Sequence, residues 1–146
     1  MLAANALSCR RGERLLFTDI SFIVQPGELL HVHGANGSGK TSLLRMLCGL
    51  SAPEQGEILW QNHSPRTLGE NFRAAVTYLG HQNAIKDELS AMENIQMSAS
   101  LHGTRVSEEE AYGALVRVGL GDKVDLQTKV LSQGQRRRVA LARLCL

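Results

Sequence analysis

Apolar residues fall in short runs through the first half of the chain and at helical spacing through the second, so the pattern predicts strands giving way to helices. Leu15 to Val24, rich in Leu, Phe, Ile and Val, reads as a strand or a pair of short strands that stops at the turn pair Pro26-Gly27. Leu29 to His33 is a second short run, and it leads directly into the glycine-rich segment Gly34 to Gly39. Leu43, Leu44 and Leu47 then carry a helix over Lys40 to Cys48, with Gly49 as its C-cap. Pro53 to Gly56 is a turn and Glu57 to Trp60 a strand. Asn62 to Pro65 breaks the pattern, and Val76 to Leu79 is a further strand ending at Gly80-His81-Gln82.

Beyond that point the start signals are helical. Ser90-Ala91-Met92-Glu93 and Ser107-Glu108-Glu109-Glu110 fit the capping box, in which a serine oxygen and a glutamate satisfy orphan amides reciprocally. Ser132-Gln133-Gly134-Gln135 opens a third such helix, whose apolar spacing through Val139, Leu141, Ala142, Leu144 and Cys145 runs to Leu146 with no stop signal.

Composition narrows the class without naming a function. A chain of 146 residues, 43% apolar and 21% charged, can bury a core and is one domain or a large part of one. A formal charge of +2 is too small and too dispersed to make nucleic acid the main partner. Cys9, Cys48 and Cys145 stand apart with no C-x-x-C pair, which fits a reducing compartment and neither a disulfide framework nor a zinc site. The first residues lack a signal-peptide pattern, and no window approaches the ~18 uninterrupted apolar residues of a membrane span.

The chemistry lies in the glycine-rich loop. Gly34, Gly39, Lys40 and Thr41 meet the pattern G-x-x-x-x-G-K-[ST], between a predicted strand and a predicted helix. Glycines at 34, 37 and 39 let backbone N–H groups curl round an anion, and the helix that follows adds about half a positive charge at its N-terminus. Gly34, Ala35, Asn36, Gly37, Ser38, Gly39, Lys40, Thr41 and Ser42 are therefore the expected phosphate contacts of ATP, a Walker A loop. Lys40 would reach the β and γ phosphates, and the Thr41 hydroxyl would be a hard ligand for Mg²⁺. A bare glycine turn would have no reason to place Lys-Thr at the helix start. Kinases, GTPases and motor ATPases share the loop, so it does not by itself choose among P-loop families.

A second motif makes that choice. Leu131-Ser132-Gln133-Gly134-Gln135, followed by Arg136-Arg137-Arg138-Val139-Ala140-Leu141-Ala142-Arg143, resembles the signature of ABC transport ATPases, with Gln133 standing where the family has glycine. The distance from Lys40 to Leu131 also resembles ABC ATPases and not small P-loop kinases. Four stretches narrow the resemblance to the ATP-binding subunits of haem exporters in cytochrome c maturation: Leu7 to Arg11 with Leu16-Phe17, Tyr78 to Gln82, Ala84 to Lys86 with Leu89 to Asn94, and Gln135 to Leu144. The resemblance implies an α/β P-loop NTPase of the nucleotide-binding-domain type, with a β-rich core over residues 1–88 and a helical subdomain over 89–146. It implies that Ser132, Gly134 and Gln135 meet the ATP held by a second subunit in a head-to-tail homodimer. Gln82 would then be the Q-loop glutamine serving Mg²⁺ or the attacking water, and with Lys40 a catalytic residue. A membrane-spanning permease would be the other partner, at the cytoplasmic face of an inner membrane. Relatives also stack an aromatic residue on adenine near Arg11, where a guanidinium plane can stack instead.

The resemblance further implies a Walker B strand with an Mg²⁺-binding aspartate and a catalytic glutamate after the signature helix, and a switch histidine later. None occurs before Leu146, and Asp122 and Asp125 precede the signature without an apolar strand before them. The expectation is an incomplete domain: a central parallel strand left with an open apolar edge, and a loss of general-base help worth about 10²–10⁴ in rate, so no turnover by this chain alone. Three readings follow: part of a full transport ATPase of this or another transport system, a truncated nucleotide-binding fragment without hydrolysis, or an ABC ATPase acting on DNA or ribosomes. The small charge and the lack of a coiled-coil insertion weigh against the last. Three other features read as structural. His31 and His33, alternating on one strand face, are packing or solvent-facing groups. Cys48 is a small buried hydrophobe, and Arg136 to Arg138 form a solvated helix face.

Overall fold

A computed structural model describes residues 1–80 and 83–146, which divide into two compact units, 1–77 and 78–146. In the first unit, β1 (Leu2–Arg11) and β2 (Arg14–Val24) form an antiparallel hairpin across Gly12-Glu13, and β3 (Gln55–Trp60) pairs antiparallel with the other edge of β1. The sheet order is therefore β2-β1-β3. The register of β1 slips between Ala4 and Leu7, where Ala6 takes φ 48° and its N–H donates to Ser21 Oγ at 2.8 Å. That bulge puts Ala3 and Ala4, and then Leu7, Ser8 and Cys9, into the interior instead of every second residue. Gly56 on β3 closes over the same point. It sits at φ 84°, and a Cβ there would lie 2.3 Å from Asn5 O and 2.4 Å from Ala6 O, so no other residue fits.

Helix α1 (Lys40–Leu47) turns Leu43, Met46 and Leu47 onto Ala4, Leu7 and Cys9 of β1 and Ile58 of β3, which together form the core of this unit. The helix ends as a Schellman motif: Gly49 N–H donates to Met46 O at 2.9 Å and Leu50 N–H to Arg45 O at 2.8 Å. The capping residue itself is Cys48, with the predicted Gly49 one place beyond it. Two short helices, α2 (Pro65–Leu68) and α3 (Glu70–Ala75), follow. Pro65 opens α2 at a position where its missing N–H costs nothing, and Phe72 of α3 packs edge to face with Trp60, ring centroids 6.0 Å apart.

Two predicted strands are absent. Leu29–His33 and Val76–Leu79 pair with no strand among the described residues, and Leu29 is 93% exposed. A strand exists only against a neighbour that closes its ladder, and the described residues supply no parallel neighbour to either run. The expected central parallel strand is thus not formed among the described residues, whose sheet is the antiparallel β2-β1-β3. His31 and His33 consequently lie off any strand, both exposed, their rings edge to face at 6.1 Å.

The second unit is helical. α4 (Ala91–Leu101), α5 (Glu108–Arg117) and α6 (Gln133–Ala142) bury Ala91 and Ile95, Ala111, Ala114 and Leu115, and Val139 and Ala142 together with Leu120 and Leu131. Alanines at these positions let the helix backbones approach closely. All three predicted capping boxes are present, at Ser90/Glu93, Ser107/Glu110 and Ser132/Gln135. The last helix does not run on to Leu146: after Ala142 it tightens into a 3₁₀ turn over Arg143–Cys145.

The cap of α5 carries a pH signature. Ser107 N–H donates to Glu110 Oε2 at 2.9 Å and its hydroxyl to the same oxygen at 2.8 Å, and these bonds hold the carboxyl below its ordinary value. A folded-state pKa below the unfolded one gives stability that is complete above the ordinary carboxylate range and is lost as pH falls through the folded value. Glu110→Ala is therefore expected to melt below wild type at pH 7, with the gap closing in acid. Thermal melts of both proteins at pH 7 and pH 3 check this, and a gap of unchanged size at pH 3 would contradict it.

Candidate functional site

The glycine-rich segment follows Val32, turns over Asn36 and Gly37, and becomes helical at Lys40. Ser38 N–H closes the turn on Ala35 O at 3.2 Å, and Leu43 N–H begins the helical ladder on Gly39 O at 2.8 Å. Gly39 is the N-cap, at φ 99°, and makes no side-chain cap bond. A Cβ at Gly39 would meet Phe17 Cδ1 at 2.9 Å and Leu16 Cβ at 3.1 Å, and one at Gly34 would meet Ser38 Oγ at 2.9 Å. The loop is held against β2 by contacts that only an absent side chain permits.

Lys40 is folded back into this loop. Its ammonium donates to Gly34 O at 2.7 Å and to Ala35 O at 2.8 Å, so a full positive charge sits inside the curl of backbone. The first turn of α1 carries no acidic residue, which leaves its positive end uncompensated. Thr41 is exposed at the same end, with Ser42 half-buried beside it. An ammonium, the positive end of α1 and a hydroxyl thus converge on a loop that three glycines keep open, and the set suits a polyphosphate with its divalent cation.

In the second unit, the N-terminus of α6 presents Ser132, Gln133 and Gly134 to solvent while Leu131 anchors it in the core. Ser132 Oγ accepts from Gln135 N–H at 3.2 Å, and Ser132 N–H donates to Gln135 Oε1 at 2.8 Å. A Cβ at Gly134 would meet only Ser132 Oγ, at 4.0 Å, so the surface above this turn is open. Gln82 lies outside the described residues.

Sequence reading missed the way α6 is tied to the chain before α4. Arg136 pairs with Asp87, and Arg137 donates to Gly80 O at 2.7 Å and to Asn83 Oδ1 at 3.2 Å. Arg138 donates to Val118 O at 3.1 Å and Gly119 O at 3.2 Å. Arg136 and Arg137 are half-buried ties between α6 and the chain before α4, not the solvated face expected of them, while Arg138 is exposed as expected and still reaches the carbonyls after α5. Asn94 is the other unanticipated residue. It is buried, accepts from Lys86 N–H at 2.7 Å, and donates to Lys86 O, Leu89 O and Ser90 O, while Thr128 Oγ1 donates to Lys86 O at 2.7 Å. Long-range bonds of this kind leave no local sequence signal. Cys48 is half-buried, and burial pushes its thiol up, consistent with an apolar role. No group of three or more His, Cys, Asp or Glu gathers among the described residues.

Comparison with known proteins adds an independent line. The family model described as ABC transporter matches residues 17–146. The cytochrome c biogenesis ATP-binding export protein CcmA of Nitrosomonas europaea is 56% identical over 144 residues, a match covering 99% of this chain and 68% of that protein. The protein of the same name from Dechloromonas aromatica is also 56% identical, with 99% of this chain and 71% of that protein covered. Among solved structures, a putative ABC transporter ATP-binding protein from Pyrococcus furiosus superposes with a TM-score of 0.88 at 27% identity, covering 98% of this chain and 68% of that one.

Proposed function

The chain belongs to the ABC transporter family, and from that premise we propose that it is the ATP-binding subunit of an export system for cytochrome c biogenesis, coupling ATP binding and hydrolysis to a membrane permease in haem export. The observation that carries the site assignment is the Lys40 ammonium held at 2.7 and 2.8 Å from two loop carbonyls, inside a backbone curl that glycines keep open. Gly34 to Thr41 wrap the phosphates in this reading, Ser42 flanks them, and Lys40 neutralises the β and γ positions. Thr41 and Gln82 serve Mg²⁺. The nucleotide supplies the phosphoanhydride whose cleavage drives transport.

Ser132, Gly134 and Gln135 close over the nucleotide of a second, head-to-tail copy. The exposure of Ser132 and Gly134, and the open surface above Gly134, support that role. The permease is the second partner, and the site of action is the cytoplasmic face of the inner membrane. No helix among the described residues is long and apolar enough to cross a membrane.

The assignment is tested in the organism that carries the gene. Deletion of the gene encoding this chain is expected to abolish covalent haem in its c-type cytochromes, measured by haem staining of separated proteins. Wild-type gene is expected to restore it and the Lys40→Ala variant is not. Normal staining in the deletion strain would contradict the proposal.

A further inference from the structure

The hairpin of β1 and β2 carries an arginine that the phosphate-loop pattern does not include. Arg14 opens β2 opposite Arg11, and a Cβ built on Gly37 would lie 4.0 Å from its Nη2. Two residues on, Leu16 Cβ lies 3.1 Å from the Cβ position of Gly39. The hairpin register shifts between these positions, and Phe17 Cδ1 also lies 2.9 Å from the Cβ position of Gly39, so β2 runs along Gly37–Gly39 from Arg14 to Phe17. Leu16 packs there and Arg14 places a guanidinium over the turn. Arg14 is exposed, and among the described residues it enters no ion pair, whereas Arg10 in the same hairpin is held by Glu54 at 3.2 Å. Lys40 is already engaged by two carbonyls, which leaves Arg14 as an uncommitted cation at the mouth of the loop.

We infer that Arg14 is a further nucleotide-contacting residue, whose guanidinium takes a phosphate oxygen of the bound triphosphate from outside the loop. The inference rests on the phosphate-binding reading of Gly34 to Thr41 and adds a residue to it. A guanidinium matches the geometry of phosphate oxygens and stays charged at every working pH. Its position against Gly37 directs it to the phosphate chain and not to the base. At a solvent-exposed site one such charge alters affinity by roughly three- to tenfold, and the effect fades as salt screens it.

The test is calorimetric titration of wild type, Arg14→Gln and the charge-matched Arg66→Gln with magnesium-ATP and with magnesium tripolyphosphate, which has no base. Arg66 is exposed on α2. Arg14→Gln is expected to bind both ligands about three- to tenfold more weakly at low salt, with the gap narrowing at high salt, while Arg66→Gln matches wild type. A loss confined to ATP would mean a base contact and overturn the inference, as would unchanged affinity for both ligands or an equal loss in Arg66→Gln. Failure of wild type to bind either ligand would instead remove the phosphate-binding reading on which the inference stands.

Discussion

Lys40→Ala is expected to weaken magnesium-ATP binding by about 100-fold or more, roughly 2.7 kcal/mol, without lowering the melting temperature. The two consequences separate because Lys40 holds the loop only through the exposed carbonyls of Gly34 and Ala35, which water can satisfy once the ammonium is gone. The polyanion has no such substitute. Amide dipoles and the end of α1 contribute fractional charges, and Lys40 is the full charge placed inside the curl. Lys40→Arg is expected to fail as well, since a planar fork cannot occupy the point where a compact ammonium meets two carbonyls. Calorimetry beside thermal melts distinguishes loss of binding from loss of fold. Equal ATP affinity in Lys40→Ala would remove the site assignment.

Asn94→Ala should produce the largest loss of stability in the second unit, about 3 kcal/mol. The side chain is buried and bonds four backbone groups between Lys86 and Ser90, so its removal takes four hydrogen bonds at once and leaves Lys86 N–H without its partner, while the three carbonyls each keep one other donor. The same stretch holds Asp87, the partner of Arg136 on α6, and Lys129 N–H donates to Asp87 O at 3.1 Å. Loosening it therefore removes part of what seats the signature helix. Urea denaturation of wild type and variant measures the difference. A shift below about 0.5 kcal/mol, the range of ordinary surface substitutions, would show that the network is not what orders this segment.

What could be read in the sequence was whatever neighbouring residues decide among themselves. The Gly34–Thr41 loop, the helix start at Lys40 and the three capping boxes are of that kind, because each is closed by residues within a turn of one another. The signature was legible as a pattern, and Arg136 and Arg137 after it were misread because their acceptors, Asp87 and Gly80, lie far away in sequence. Asn94 falls in a stretch that carries the resemblance, yet its hydrogen bonds leave no sequence signal for the same reason. Strand β1 escaped notice because Ala3, Ala4, Asn5 and Ala6 have weak strand preference and the bulge erases the alternation. Leu29–His33 failed in the opposite sense. Its composition favours a strand, but composition does not supply the neighbour that a ladder requires. The likeness to known ABC proteins spans nearly the whole chain, so the family was legible even where individual elements were not.

Titration of the chain with magnesium-ATP and, separately, with adenosine tests the account at its centre. A curl of amides around one ammonium should yield saturable heat with ATP and none with adenosine, because the phosphates carry the recognition. Adenosine binding as tightly as ATP, or no heat from either, would contradict it.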